Sequence, residues 1–190
     1  MKPATNFRIH PKNLKQGVIN TLIGLALLCF LGPLKVTLAA DLPITFQSLL
    51  VVLIPIVLGW MPGVAAVVLY LMAGASGLPV FAGGASGIDV FTGDTAGFLL
   101  AFPIAALLVG FAATRTYKFE TLALMGMLIG GQLLIVFAGL YWMEGVRKDS
   151  LNYFAYAEAL MPGLLIKSLA GLLIALVIGR MRSRLPQTVE

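Results

Sequence analysis

The sequence predicts an all-α, polytopic membrane protein, a compact bundle of six transmembrane helices. Three observations lead there. Of its 190 residues 59% are apolar and 11% charged, with a mean hydropathy of +0.98, whereas soluble domains carry roughly 25% charged residues. Leu42 to Ile88 contains no charged side chain, and at ~20 residues per crossing that interval holds two spans with their connections. The net charge of +5 comes from basic residues at the ends of apolar runs, where they orient a membrane protein rather than form a nucleic-acid face.

The elements follow in order. Residues 1–15 form a polar, basic leader with Lys2, Arg8, Lys12 and Lys15, and His10 reads as a solvated loop residue. Helix 1 is expected from about Gly17 to Leu34, ending at Gly32-Pro33. Its apolar run exceeds the ~7–15 residues of a signal-peptide core, and Lys35 interrupts the approach to Ala39-Ala40, so a retained span is favoured over a cleaved one. Helix 2 is expected over Thr45–Trp60 with Pro55 inside, then a tight turn at Met61-Pro62-Gly63, then helix 3 to Ser76. Both are short for a full crossing, so they tilt little or bury one end against neighbours. Residues 77–97 form a Gly-rich connection, and helices 4, 5 and 6 follow at about Phe98–Thr114, Thr121–Trp142 and Ala157–Met181. Residues 182–190 form a tail, and the whole chain reads as a single membrane domain without an internal repeat.

With both termini cytoplasmic, the inner segments hold Lys2, Arg8, Lys12, Lys15, Arg115, Lys118, Arg180, Arg182 and Arg184. The outer segments hold only Lys35, Arg147 and Lys148 among the bases, and most of the acids. This is the asymmetry of the positive-inside rule.

Candidate chemistry is sparse. Lys167 lies about ten residues into helix 6, ~15 Å from its outer end. Such a residue usually faces the bundle interior, with an anion to compensate it; the expectation is an anchor for an anionic ligand, against a structural ion pair or a snorkelling side chain. The glycines after helix 3 supply close approach and backbone N–H donors, with Tyr70, Phe81 and Phe98 as flanking rings; a plain external loop is the competing reading. Met161 to Ser168 ends in Lys-Ser like a P-loop, but Met161 and Ile166 occupy both required glycine positions, so no phosphate cradle forms. The lone Cys29 cannot form an internal disulfide or a metal site. No metal or cofactor is expected. An embedded enzyme would need paired acid, base or metal ligands at one depth, and the sequence offers only Lys167; a ligand-free structural bundle gives that lysine no work.

Four segments resemble one family. Pro43-Ile44-Thr45-Phe46-Gln47 is similar to the P-I-T-x-Q signature of BioY, the biotin-specific S-component of energy-coupling factor (ECF) transporters. Gly77 to Gly84 reads Gly-Leu-Pro-Val-Phe-Ala-Gly-Gly, as in that family; Gly93 to Phe98 resembles its G-P-T-G-G-Y; and Met161 to Lys167 resembles its P-G-D-x-x-K. The resemblance spans about Pro43 to Lys167 in the family's order. It implies a membrane subunit that captures biotin from outside and works with a membrane coupling subunit and two cytoplasmic ATPases. A solitary carrier, or a capture subunit for another small carboxylate vitamin, is the alternative.

By matching position the resemblance implies a ligand site with Lys167 first, then Gly83, Gly84 and Thr95. Thr45 and Gln47 either face that pocket or cap helix 2. Leu164 stands where the family has Asp, so Lys167 lacks a local carboxylate; either the ligand's own carboxylate carries more of the compensation, or Asp94 or Glu158 reaches the lysine from outside. Ala85 stands where some members carry a polar residue, with Ser86 as substitute. Gly17, Thr21 and Gly24 on helix 1 form a partial small-residue pattern, expected to let a partner helix dock.

Overall fold

Inside a bilayer the backbone has no water to bond, so each segment must satisfy its own polar groups, which helices do. The computed structural model describes residues 11, 13–38, 42–115, 120–146 and 153–184. Most of the leader and tail, Asp41, Ala39-Ala40, Lys118 and residues 147–152, with Arg147, Lys148 and Asp149, lie outside the described residues. Six helices run through the remainder: α1 (Leu14–Leu31), α2 (Phe46–Leu58), α3 (Trp60–Ala75), α4 (Ala96–Arg115), α5 (Glu120–Val146) and α6 (Tyr153–Arg184). Four of them (α1, α4, α5 and α6) contain stretches long and apolar enough to cross a membrane, and α2 and α3 are shorter.

The expected six-helix bundle is thus the observed one, with a small addition. A two-stranded antiparallel hairpin, β1 (Lys35–Leu38) and β2 (Leu42–Thr45), fills the connection between α1 and α2, pairing Lys35 with Thr45 and Leu38 with Leu42. The sequence reading assigned no element there, although Val36, Thr37, Ile44 and Thr45 are the β-branched residues that favour strands.

α2 is the pole of the bundle. It contacts all five other helices, and every residue from Gln47 to Leu58 is buried. The chain reverses at Gly59, whose φ of +103° lies in the left-handed region that glycine adopts without penalty. Met61-Pro62-Gly63, expected as the turn, instead forms the opening of α3. Proline is tolerated there because the first turn of a helix leaves its N–H groups unused. Gly63 packs directly on the ring of Pro55, so the α2–α3 hairpin is closed by contact.

At 13 residues, α2 is only about 20 Å long, against ~30 Å of hydrocarbon. Its end therefore stops inside the bundle, where unpaired carbonyls are costly. Asn20 of α1, itself buried, donates from Nδ2 to the Leu58 carbonyl at 2.9 Å. Asn20, Gly24 and Leu28 are the buried residues of α1, one stripe at helical spacing.

That stripe corrects the expected docking role of Gly24. Gly24 points into the bundle, where an added Cβ would lie 2.9 Å from Ile54 Cγ2 and 3.0 Å from Ala66 Cβ. Thr21 donates its hydroxyl to the Gly17 carbonyl at 3.0 Å, and Gly17 is half-buried near Pro11. The small residue at position 24 serves close packing of α1 on α2 and α3. The exposed side of α1 is made of large residues instead: Val18, Ile19, Leu22, Ile23, Leu27 and Phe30.

Candidate functional site

The opposite end of α2 opens on a cavity of about 270 Å³. Its roof is the connection between α3 and α4, which is tied down at many points. Tyr70 donates to the Val80 carbonyl at 2.8 Å, Gly87 N–H to the Gly74 carbonyl at 2.8 Å, and Gly83 N–H to the Pro33 carbonyl at 2.9 Å. Two short 3-10 turns, Ala82–Gly84 and Ile88–Phe91, fold the segment back over the bundle. Phe81 is buried and packs edge-on against Tyr70 (5.4 Å between centroids, 84°) and Phe91 (5.7 Å, 77°). Its ring lies flat on Gly74, where any Cβ would overlap it.

The walls are mostly apolar. Phe81 and Val90 come from the roof, Phe98, Leu99 and Phe102 from α4, Ile135 and Val136 from α5, and Leu160 from α6. A few polar groups converge on this surface. Lys167 of α6 donates from Nζ to Ser48 Oγ of α2 at 2.9 Å. Gln47 accepts the Ala82 N–H at Oε1, 3.2 Å, which clips the roof to α2. Its Nε2 has no partner among the described residues, and neither does the Oε1 or Nε2 of Gln132 on α5. Lys35, at the start of β1, also lines the cavity and is exposed. A mostly apolar hollow with a few placed polar groups is the usual form of a small-molecule site, and its volume falls just below the ~300–1,000 Å³ such sites span.

The structure gathers five of the expected ligand-site residues on the wall: Lys167, Gln47, Thr45, Thr95 and Phe81. Thr45 makes no capping hydrogen bond to α2, so the cavity-facing alternative is the one realised. The other five are placed elsewhere. Tyr70 is fully buried behind Phe81 and braces the roof. Gly83 (φ +73°) and Gly84 (φ +78°) shape the roof, Gly83 lying against the Lys35 amine. Ser86 and Asp94 are half-buried and do not line the cavity. The proposed relocation of a carboxylate to Lys167 is not what the geometry shows: Lys167 bonds the Ser48 hydroxyl, Asp94 lies off the wall, and Glu158 is exposed. Leu164 is 2% exposed and likewise off the wall.

Sequence reading missed Lys35, Ser48 and Gln132. In the sequence Lys35 reads as an orienting charge and as an interruption before Ala39-Ala40, not as a site residue. For Gln132 a signal existed: a lone amide in a run of apolar residues at membrane depth, which merits the scrutiny given to intramembrane charges. α6 also starts earlier than expected, so Lys167 lies fourteen residues in, about 21 Å along the helix rather than ~15 Å.

Known proteins resemble this chain along most of its length. A family model described as the BioY family matches residues 4–186. "Biotin transporter BioY2" of Lactococcus lactis subsp. cremoris is 37% identical over 122 residues, 64% of this chain and 66% of that protein. "Probable biotin transporter BioY" of Pyrococcus horikoshii is 36% identical over 87 residues, 46% of this chain and 52% of that protein. The chain thus aligns with less than two thirds of either. "Biotin transporter BioY" of Rhodobacter capsulatus is 34% identical over 177 residues, 85% of this chain and 93% of that protein. The fold matches the crystal structure at 2.1 Å of the S-component for biotin from an ECF-type ABC transporter, with TM-score 0.71 and 21% identity, covering 93% of this chain and 96% of that one.

Proposed function

This chain belongs to the BioY family, and from that premise we propose that it is the substrate-capture subunit for uptake of biotin across the cytoplasmic membrane. The observation that carries the reading is the roofed cavity, with apolar rings for a thiophane and an alkyl chain, amide atoms of Gln47 and Gln132 that no described residue satisfies for polar ring atoms, and two lysines for a carboxylate. Biotin combines these three chemistries in one small molecule. Lys167, expected from sequence as the carboxylate anchor, shares that role as a candidate with Lys35.

The chain carries no P-loop match at Met161–Ser168, so energy for uphill transport comes from elsewhere. Partner ATPases reached through a membrane coupling subunit supply it, and a solitary carrier is the alternative. The lipid-facing stripe of α1, rather than Gly24, is the surface on offer to such a partner. Both termini lie in the cytoplasm, which agrees with six helices and with the distribution of basic residues; the cavity then opens outward.

Equilibrium binding of labelled biotin to the full chain in detergent, competed by unlabelled biotin and other water-soluble vitamins, tests the reading. Tight binding displaced by biotin alone is expected. A monodisperse preparation that binds none, or prefers another carboxylate vitamin, overturns biotin as the ligand.

A further inference from the structure

Gln132 is the one amide on the cavity wall that no described residue satisfies at either atom. It is fully buried on α5, it lines the cavity, and neither atom of its amide has a partner among the described residues. A primary amide carries an acceptor and a donor side by side, and buried groups of this kind are satisfied in nearly all folded proteins. A matching partner inside the cavity must present a donor and an acceptor together. A carboxylate presents acceptors only, so it could take the Nε2 hydrogens but would set an anion against Oε1. An alkyl chain or a thioether carries no donor. A cyclic urea holds an N–H and a C=O cis to one another, and that edge pairs with a primary amide through two parallel hydrogen bonds.

We propose that Gln132 binds the cyclic urea of the ligand through both atoms of its amide at the floor of the cavity, leaving the carboxylate at the mouth beside Lys35. This assignment rests on the biotin reading above. Gln132 lies fourteen residues before the end of α5, and Lys167 fourteen residues after the start of α6. At about 1.5 Å per residue both stand about 21 Å from the side where the two helices are joined. Leu160, Ile135 and Val136 line the wall nearer that side, and the exposed Thr95 and Lys35 mark the mouth. Lys167 Nζ completes the floor as a donor to the remaining lone pair of the urea carbonyl. A carboxylate at the mouth keeps part of its hydration, which avoids the cost of burying an ion.

Labelled-ligand binding to the full chain in detergent, with biotin and biotin methyl ester side by side, tests the assignment. Gln132→Met is expected to weaken both ligands by the same factor, about tenfold or more, because both keep the urea. Lys35→Met is expected to weaken the free acid and spare the ester. A Gln132→Met protein that binds biotin within twofold of the wild type overturns the assignment, as does one that loses the acid and keeps the ester. Should Gln132→Met aggregate, Gln132→Asn keeps the amide but withdraws it by one methylene, and the same criteria apply. Failure of the wild type to bind biotin at all refutes the biotin reading itself, an outcome distinct from either.

Discussion

At its C-terminal end α2 stops within the bundle and its last carbonyl is met by Asn20; at its N-terminal end the same helix turns Gln47 and Ser48 toward a cavity. Both ends place polar groups at membrane depth, where each must find a partner. The closed end finds its partner in the protein and excludes everything else: Gly24, Gly63 and Gly110 bring Ile54, Pro55, Trp60 and Ala66 into direct contact. The open end leaves the Gln47 Nε2 and the Gln132 amide without partners among the described residues, behind a roof of aromatic rings. One end is a fixed joint and the other a receptor, built from the same inventory of amides and small residues.

Substitutions at the two ends should therefore separate affinity from stability. The largest effect is expected from Lys167→Met. Loss of a hydrogen bond from a charged donor, about 1.5–3 kcal/mol, weakens biotin about 10–100-fold, for the acid and the methyl ester alike, while the thermal unfolding of the ligand-free protein changes little. A loss confined to the free acid would return the carboxylate to Lys167 and invert the ligand. Asn20→Leu acts at the closed end. It lowers stability by about 1–2 kcal/mol, read by unfolding in detergent, and leaves the dissociation constant of the folded protein unchanged; a shifted constant at unaltered stability would erase the distinction between the ends. The smallest effect comes from the roof. Gly83→Ala and Gly84→Ala both place a Cβ at positive φ, a strain of about 1–2 kcal/mol, but only the side chain at position 83 meets the Lys35 amine. Binding of the free acid should fall about fivefold more for Gly83→Ala than for Gly84→Ala, and equal losses would remove Lys35 from the site.

Much of this was legible in the sequence. Span positions, the short pair α2 and α3, the Gly-rich connection and the depth of Lys167 all followed from hydropathy, turn residues and the cost of intramembrane charge. What escaped was side-chain direction. In water an apolar stripe marks the inward face of a helix, but lipid is as apolar as the bundle core, so α1 and α4 to α6 carry little amphipathic pattern. Nothing in the sequence therefore said that Gly24 faces Ile54 rather than a partner, or that Gln132 faces the cavity. Likewise Tyr70 and Phe81 are equivalent as flanking aromatics until the fold puts one behind the other. Lys35 was hidden for a different reason: it reaches the cavity because β1 pairs with β2, and four-residue strands leave a weak trace in composition.

The depth of the α2–α3 reversal also bears on biogenesis. Both helices are shorter than a full crossing, so the pair is expected to insert as a unit, since neither meets the ~20 residues a single span needs. The side chain that makes this bend tolerable, Asn20, belongs to α1 and leaves the ribosome before the carbonyl it serves. The donor is thus already synthesised when the acceptor emerges.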